Sequence, residues 1–321
     1  MNVVYASDDK YSMIAGVSIE SLYVSNREVT ELQVYILASN ITKDNKAKLE
    51  TIAHQHNRSI HFVDVQDSSF GEIDVQRWSV AAFARLYTPS LLSDLHRILY
   101  LDCDVMVNEE LLPLWETDIG EYSCAAVAEP FSSGHKKNIG QCASDVYYNS
   151  GVMLINLEKW REINAEQIFK DCIIKHNGHV PYVDQGVINE VFNRNIYRLS
   201  AKYNVFTEYY EFSYKEVETY RADKIVYSQD EINDAIQAPA IVHFVSSFLT
   251  ARPWIEGSNH PYTKQWLLYK QATPWQEAPL WQNLLGKEKL ALGWIVNHMP
   301  RSMGIWVARI VNSRIRPLID K

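Results

Sequence analysis

The sequence has few cysteines, no long apolar segment and no excess of positive charge. Only four cysteines occur in 321 residues, and no pair has the Cys-x-x-Cys spacing that indicates a zinc site or a redox dithiol. No run of about 18 uncharged apolar residues occurs, so the sequence predicts no membrane-spanning helix. The net charge of −8 argues against general nucleic-acid affinity, because such binding depends on many lysines and arginines.

The N-terminal residues do not have the pattern of a secretory signal peptide. Residues Met1 to Asp9 contain no basic segment followed by an apolar stretch. Four cysteines in a chain of this length are typical of buried thiols in a reducing compartment. These features predict a cytoplasmic protein. Hydrophobic residues make up 47% of the chain and charged residues 22%, which is typical of a globular protein.

Strand-like and helix-like segments alternate over the first 200 residues. This alternation predicts an α/β fold with a mostly parallel sheet covered by helices on both faces. In such folds the ligand binds beyond the carboxyl ends of the strands, which points to Ala6-Ser7-Asp8 and Asp102-Cys103-Asp104. The predicted strands are residues 3–6, 32–38, 59–65, 98–101, 123–128 and 148–156, and the predicted helices are 14–24, 42–56, 79–92 and 157–176.

Two carboxylates one residue apart, Asp102 and Asp104, follow the apolar segment 98–101. Bare charges at a buried strand end are costly, and a divalent cation would offset that cost. The same pattern is also common in surface acids. Two reaction classes use such a motif: phosphatases with Asp102 as nucleophile, and nucleotide-sugar transferases in which both acids hold a metal. A phosphatase motif is typical of the N-terminus, so the position favours the second class.

Several motifs in a fixed order resemble glycosyltransferase family 8 over about residues 1–275. They are Val3-Val4-Tyr5-Ala6-Ser7-Asp8-Asp9, Ala84-Arg85-Leu86, Leu99-Tyr100-Leu101-Asp102-Cys103-Asp104, the segment 148–160, Asp184-Gln185-Gly186, Tyr203-Asn204, Val242-His243-Phe244, Gly257-Ser258-Asn259-His260-Pro261 and Thr273-Pro274-Trp275. The resemblance implies a Rossmann-like nucleotide-sugar-binding domain of the GT-A type. It also implies retaining, metal-dependent transfer of galactose or glucose from a UDP-sugar to a glycan acceptor, such as a bacterial surface polysaccharide or lipopolysaccharide.

The resemblance also implies roles for individual residues. Mn²⁺ or Mg²⁺ is expected at Asp102, Asp104 and His243, although His243 alone has the pattern of a core histidine. Gln185 is expected near the anomeric carbon, where a poorly nucleophilic amide favours front-face attack. Together with Asp184 and Arg85 it forms the expected catalytic group. The other expected donor-binding residues are Ala6, Ser7, Asp8, Cys103, Asn149, Ser150 and Arg252.

The sequence departs from the family pattern near His243 and at Glu129. Ser246 stands where the family has Gly, and the loop that follows is about three residues longer. Arg252 replaces the Lys before Pro-Trp, and an arginine can bind phosphate through two parallel hydrogen bonds. Glu129 stands where an Asp often approaches the acceptor. If this loop cannot close, a non-catalytic UDP-sugar-binding protein is the alternative, besides a phosphohydrolase that uses Asp102.

Residues 276–321 are predicted to form a basic, helical C-terminal extension. Residues 287–321 contain seven Lys and Arg against two acids. A helical wheel groups Arg309, Asn312 and Arg316 on one face, opposite an apolar face. Such a basic amphipathic segment is typical of contact with an anionic membrane surface. The alternative is a helix packed on the domain with solvated basic residues. The apolar face of the wheel consists of Trp306, Val307, Ile310, Val311 and Ile315.

Overall fold

A seven-stranded sheet forms the centre of the protein in a computed structural model that describes residues 1–65, 83–282 and 287–319. Its strands are β1 (Asn2–Asp8), β2 (Gln33–Ser39), β3 (Ile60–Asp64), β4 (Arg97–Leu101), β6 (Cys124–Ala128), β7 (Tyr148–Asn156) and β8 (Ile196–Arg198). They are arranged in the order β3-β2-β1-β4-β7-β6-β8. Only β7 runs against the other six, so the predicted α/β class with a mostly parallel sheet is confirmed.

A second sheet of three short strands lies beside the first. It consists of β5 (Val105–Val107), β9 (Val205–Phe206) and β10 (Ile241–His243), in the order β5-β10-β9. Strand β10 is antiparallel to β5 and parallel to β9. Because β5 starts just after the acid pair, this sheet connects residues near position 243 with the end of β4.

Helices pack around both sheets. They are α1 (Ser12–Ser25), α2 (Lys43–Gln55), α3 (Thr88–Leu91), α4 (Leu112–Trp115), α5 (Ser133–Asn138), α6 (Leu157–Glu162), α7 (Ala165–Lys175), α8 (Val183–Val191), α9 (Glu208–Glu211), α10 (Tyr214–Arg221), α11 (Gln229–Gln237), α12 (Thr263–Gln271), α13 (Lys287–His298), α14 (Arg301–Ile310) and α15 (Arg316–Ile319). Short 3₁₀ helices occupy Ala84–Tyr87 and Ala201–Tyr203, and Val311–Ile315 is a π-helix. Capping residues fix several starts; the Thr42 hydroxyl, for example, accepts the Asn45 N–H at 3.3 Å before α2.

Two helix predictions need correction. The single helix predicted for 157–176 is two helices, α6 and α7, because Asn164 adopts a left-handed conformation with φ of 53°. In the helix predicted for 79–92, residues 79–82 lie outside the described residues. The rest is a 3₁₀ turn followed by α3, and Pro89 lies in the first turn of α3, where its missing N–H costs nothing.

The C-terminal helices pack on the rest of the chain. The carbonyl of Phe248 lies close to Gly293 of α13, so close that a Cβ there would be 2.7 Å from it. Asn138 Nδ2 donates to the Pro317 carbonyl at 2.7 Å. Asn312 is only 5% exposed, whereas Trp306 is 56% exposed. The wheel therefore misplaced Asn312, which continues the buried row of Gly304 and Ala308 at intervals of four residues.

No helix within the described residues has both the length and the apolar character required to cross a membrane.

Candidate active site

Asp102, Asp104 and His243 lie close together at the end of β4. One ligand atom of each lies within 4.8 Å of those of the other two. His243 Nε2 is 3.2 Å from Asp104 Oδ1 and 3.9 Å from Asp102 Oδ2. Two carboxylate oxygens and an imidazole nitrogen suit a divalent cation such as Mn²⁺. The donor set therefore fits the metal that the sequence predicts there.

Backbone pairing in the two sheets brings these three residues together. The Asp102 N–H donates to the Gly151 carbonyl of β7 at 2.8 Å, and the Phe244 N–H donates to the Asp104 carbonyl at 2.9 Å. His243 lies opposite Val105 in the β5–β10 pair. Since β4 ends at Leu101, the two carboxylates converge through the turn between β4 and β5, and not through a continued strand.

Asn204 holds the imidazole of His243. Its Oδ1 lies 2.9 Å from His243 Nδ1, on the ring edge opposite the acid pair, and its side chain is fully buried. Although burial lowers the pKa of His243, the adjacent Asp104 raises it overall. In the sequence, Asn204 is recognisable only as part of the Tyr203-Asn204 motif, which predicts no role for it. A hydrogen bond between an amide and an imidazole leaves no periodic pattern in the sequence, so only the motif could have indicated Asn204.

Arg85 is a buried cation between two acids. Its Nη2 is 2.6 Å from Asp102 Oδ1, and its Nε is 2.8 Å from Asp184 Oδ2. It also donates to the Ser150 carbonyl, and its guanidinium lies 4.0 Å from the centroid of the Tyr100 ring. Arg85 thus connects the acid pair to the first turn of α8.

Asp184 and Gln185, in the first turn of α8, lie against the end of β7. The Ser150 hydroxyl donates to Asp184 Oδ2 at 3.2 Å, and the Ser150 N–H donates to Gln185 Oε1 at 3.1 Å. Gln185 Nε2 donates to the Tyr147 hydroxyl at 3.1 Å. Burial raises the pKa of Asp184 to about 6, despite the opposing effect of Arg85. Both ends of the Gln185 amide are therefore held by the protein.

The end of β1 lies beside the acid pair because β1 and β4 are adjacent parallel strands. The Cys103 thiol donates to the Ala6 carbonyl at 3.2 Å, and burial raises the pKa of Cys103. Asp8 Oδ1 accepts the Tyr11 N–H at 2.9 Å, and the Ser7 hydroxyl donates to the Asp8 carbonyl at 3.0 Å. The predicted nucleotide-binding turn thus adjoins the predicted metal site.

The loop 246–252 brings Arg252 to the acid pair. Arg252 Nη2 lies 3.2 Å from Asp104 Oδ2, and its Nε donates to the Phe244 carbonyl at 2.9 Å. Together with His243, Arg252 holds the pKa of Asp104 below its usual value, although burial acts in the opposite direction. The longer loop, with Arg in place of Lys, therefore still places a positively charged side chain beside the acid pair.

Asn149 and Glu129 are buried, and both are bound to protein atoms. Asn149 Oδ1 accepts the Gly151 N–H at 2.9 Å, and Asn149 Nδ2 donates to Glu129 Oε2 at 3.0 Å. The other oxygen of Glu129 pairs with Arg221 Nη2 at 2.8 Å. Glu129 is buried, and this ion pair fixes its carboxylate. Contact of Asn149 with the donor sugar stays a prediction.

Cys172, His176 and Glu190 form a second group of potential ligands in the described part of the chain. Glu190 is already paired with Lys175 at 2.6 Å and with His176 at 2.7 Å. Burial, followed by the nearby Glu190, raises the pKa of Cys172 to about 12. A protonated thiol is a poor metal ligand, so the first group is the better candidate.

Solved structures share this fold. The galactosyltransferase LgtC in complex with donor and acceptor sugar analogues aligns with a TM-score of 0.73 and 24% identity, covering 90% of this chain and 100% of that one. The glycosyltransferase GlyE of Streptococcus pneumoniae aligns with a TM-score of 0.61 and 24% identity, covering 84% of this chain and 59% of that one. The fold is therefore the GT-A fold of glycosyltransferases.

The family model described as Glycosyl transferase family 8 matches residues 2–257, and the chain belongs to this family of metal-dependent nucleotide-sugar enzymes. General stress protein A of Bacillus subtilis is 29% identical over 280 residues, which cover 86% of this chain and 94% of that protein. A lipopolysaccharide 1,2-glucosyltransferase of Escherichia coli K12 is 24% identical over 284 residues, covering 86% and 79%. The family recognised from the sequence is confirmed, and it favours glycosyl transfer over phosphate hydrolysis.

Proposed function

We propose that this protein is a retaining hexosyltransferase that moves galactose or glucose from a UDP-sugar to a bacterial surface glycan, with Mn²⁺ or Mg²⁺ at Asp102, Asp104 and His243. The observation that carries the proposal is the convergence of these three side chains within 4.8 Å at the carboxyl end of β4. A divalent cation bound there supplies a Lewis acid for the charge on the departing diphosphate. UDP-galactose and UDP-glucose differ at one hydroxyl, so both are candidate donors.

The surrounding residues support distinct parts of this proposal. Ala6, Ser7 and Asp8 offer polar atoms for the nucleotide at the neighbouring strand end. Arg252, whose Nη2 lies 3.2 Å from Asp104 Oδ2, provides a positive charge and paired hydrogen-bond donors for the diphosphate. Arg85 and Asp184 provide a fixed pair of charges for the sugar hydroxyls.

Gln185 supports retention by front-face attack. Its amide is a weak nucleophile, and hydrogen bonds to the Ser150 N–H and the Tyr147 hydroxyl hold both of its ends. A covalent glycosyl-enzyme at this position is therefore disfavoured. The acceptor hydroxyl would approach from the side of the leaving diphosphate, so that the configuration at the anomeric carbon is kept.

The proposal is tested by ligand-dependent thermal stability. Millimolar Mn²⁺ with UDP-galactose or UDP-glucose should raise the melting temperature of the wild type by roughly 5 °C at saturation, because binding to the folded state alone stabilises it. Asp104→Ala should abolish this gain. No shift in the wild type with either donor would contradict the proposal.

A measurement of slow, metal-dependent hydrolysis separates an enzyme from a binding protein. Release of UDP from one of the two donors over hours, lost on chelation of the metal, supports the transferase. Stabilisation by UDP-sugar without any hydrolysis or transfer supports the non-catalytic alternative. Formation of an acid-stable adduct at Asp102 would support the phosphohydrolase instead.

We also propose that the C-terminal extension contacts the cytoplasmic face of the cell membrane, where lipid-linked acceptors are made. Met303, Trp306 and Arg309 follow one another at intervals of three on α14, and all three are exposed. Arg314 and Ile315 are exposed one turn further on. Exposed Trp and apolar side chains beside arginines are suited to an anionic lipid surface.

A further inference from the structure

A continuous chain of buried hydrogen bonds leads away from the candidate metal centre. It begins with His243 Nδ1 and Asn204 Oδ1 at 2.9 Å and continues from Asn204 Nδ2 to Asn149 Oδ1 at 2.9 Å. Asn149 Nδ2 then donates to Glu129 Oε2 at 3.0 Å, and Glu129 is paired with Arg221. Arg221 also pairs with Glu208 at 2.6 Å, so at the charged end of the chain one guanidinium lies between two carboxylates.

The partners of Asn149 fix which atoms in this chain of hydrogen bonds donate and which accept. The Gly151 N–H can only donate, so the atom of Asn149 that it contacts at 2.9 Å must be the amide oxygen. The Asn149 NH₂ group then faces the Glu129 carboxylate, which can only accept while it is ionised. Two independent partners therefore impose the same orientation on the Asn149 amide.

This orientation passes to the histidine. Because Asn149 presents its oxygen to Asn204, Asn204 must present its NH₂ group to Asn149 and its oxygen to His243. An oxygen acceptor requires a proton on His243 Nδ1. The lone pair of the neutral imidazole then lies on Nε2, which faces Asp104 and Asp102. A metal ligand needs this tautomer.

We propose that Asn204, Asn149, Glu129 and Arg221 form a positioning relay that holds His243 in the Nδ1–H tautomer and so sets the affinity of the metal centre. The inference rests on the metal site of the proposed function and assigns a role to Asn204 and Arg221, for which the sequence predicts none. None of the four needs to touch the metal. In the relay they act on the metal through the imidazole of His243.

The test measures the dissociation constant of Mn²⁺ alone, from the electron paramagnetic resonance signal of the free ion. Asn204→Leu preserves side-chain size but removes the acceptor for Nδ1–H, and should weaken Mn²⁺ binding roughly 10- to 100-fold. Glu129→Gln removes the charge at the far end and should weaken binding several-fold. Both variants should also show a smaller preference for Mn²⁺ over Mg²⁺ than the wild type, since the imidazole provides that preference.

A double-mutant cycle and a matched control separate positioning from general damage. If Asn204 acts through His243, adding Asn204→Leu to His243→Ala should change the Mn²⁺ affinity little beyond the single His243→Ala variant. Asn26 is the control, because it is also fully buried and makes two amide hydrogen bonds, but lies at the opposite end of α1 from the site. Asn26→Leu should lower the melting temperature and leave the Mn²⁺ affinity unchanged.

The outcomes distinguish this proposal from the proposed function. A wild type that binds no Mn²⁺ overturns the metal centre and the relay together. Equal Mn²⁺ affinities of Asn204→Leu and the wild type would overturn the relay alone. Losses of affinity that simply multiply in the double variant would do the same. Weakening by Asn204→Leu without any effect of Glu129→Gln ends the relay at Asn204 and removes the roles of Glu129 and Arg221.

Discussion

Gly151 lies in β7 directly beside the candidate metal centre. A Cβ at this position would be 2.3 Å from His243 Cε1 and 2.8 Å from Asp102 Oδ2. Real side chains do not tolerate such distances, so the imidazole and the carboxylate can approach β7 only because residue 151 has no side chain. The glycine is thus part of the geometry of the centre.

Gly151→Ala should therefore weaken Mn²⁺ binding at least tenfold, because His243 and Asp102 must move apart to admit the methyl group. The measurement is a titration with Mn²⁺ monitored by electron paramagnetic resonance. The melting temperature without metal should also fall, since the added methyl overpacks a buried strand. An alanine variant with the Mn²⁺ affinity of the wild type would contradict this account of the site.

At the level of single residues, the sequence predicted the metal ligands better than it predicted the residues that hold those ligands in place. Asp102 and Asp104 are recognisable because two acids after an apolar strand need an explanation in themselves. Asn204 and Arg221 carry no such signal, because a buried amide or guanidinium is recognisable only from its partner. That partner, at position 149 or 129, is distant in the chain, and nothing in the local sequence specifies it.

Among the elements, the loop 246–252 is anchored through Glu211 at the end of α9. The Ser247 hydroxyl donates to Glu211 Oε2 at 2.7 Å, and the Leu249 N–H donates to Ser247 Oγ at 3.0 Å. Burial raises the pKa of Glu211 to about 7. The folded state therefore holds a proton on Glu211 more tightly than the unfolded chain does. The anchor of the loop that carries Arg252 is sensitive to pH near neutrality.

Glu211→Gln should remove this dependence on pH. Between about pH 4.5 and pH 7 the contribution of Glu211 to stability falls as pH rises, because the unfolded chain releases the Glu211 proton while the folded state, with the pKa raised to about 7, retains it. The variant cannot ionise, so its stability relative to the wild type should increase over this window, by up to about 3 kcal/mol, and then level off. Chemical denaturation at several pH values measures the difference.

Glu50→Gln provides the control for this comparison, since Glu50 is an exposed carboxylate on α2. It removes one negative charge without touching the loop. A difference between Glu211→Gln and the wild type that does not change with pH would show that Glu211 is not the titrating anchor.

Local chemistry decided how well elements could be predicted. Continuous apolar segments located β1, β2 and β4, because buried parallel strands need such residues. The observed limits of β2 and β4 differ from the predicted ones by one residue, whereas β1 extends two residues further, to Asp8. The break between α6 and α7 escaped prediction, since Asn164 adopts a left-handed conformation that asparagine tolerates but does not require. The π-helix at Val311–Ile315 escaped it as well, because helical wheels assume a constant 100° step.

For the whole molecule, the C-terminal helices combine two surfaces. One is buried and includes Gly304, which lies against Val296 of α13, and Ala308 one turn further on. The other exposes Met303, Trp306 and Arg309. Residues 289–319 contain no acid, so this outer surface carries positive charge. Packing and exposure are thus separated on the same helix, as a membrane-binding surface requires.

The protein should bind phosphatidylcholine vesicles more tightly when they also contain phosphatidylglycerol, and high salt should reverse the gain. Replacing Arg309 and Arg314 by Gln should weaken sedimentation with the anionic vesicles roughly 10- to 30-fold, since each arginine near such a surface contributes about 1 kcal/mol. Trp306→Ser should weaken it further. Tyr122→Ser, at an exposed aromatic outside the extension, is the control and should bind as the wild type does.

Asp104 and His243, which meet at 3.2 Å, are separated by 139 positions in the chain. During synthesis, the ribosome must therefore release β10 before the centre can exist at all, and a nascent chain that ends earlier offers only the two acids. If a metal ion binds through all three ligands, as proposed, it will favour chains folded through β10 over chains that end before His243. Metal loading would thus report that β10 has taken its place beside β5.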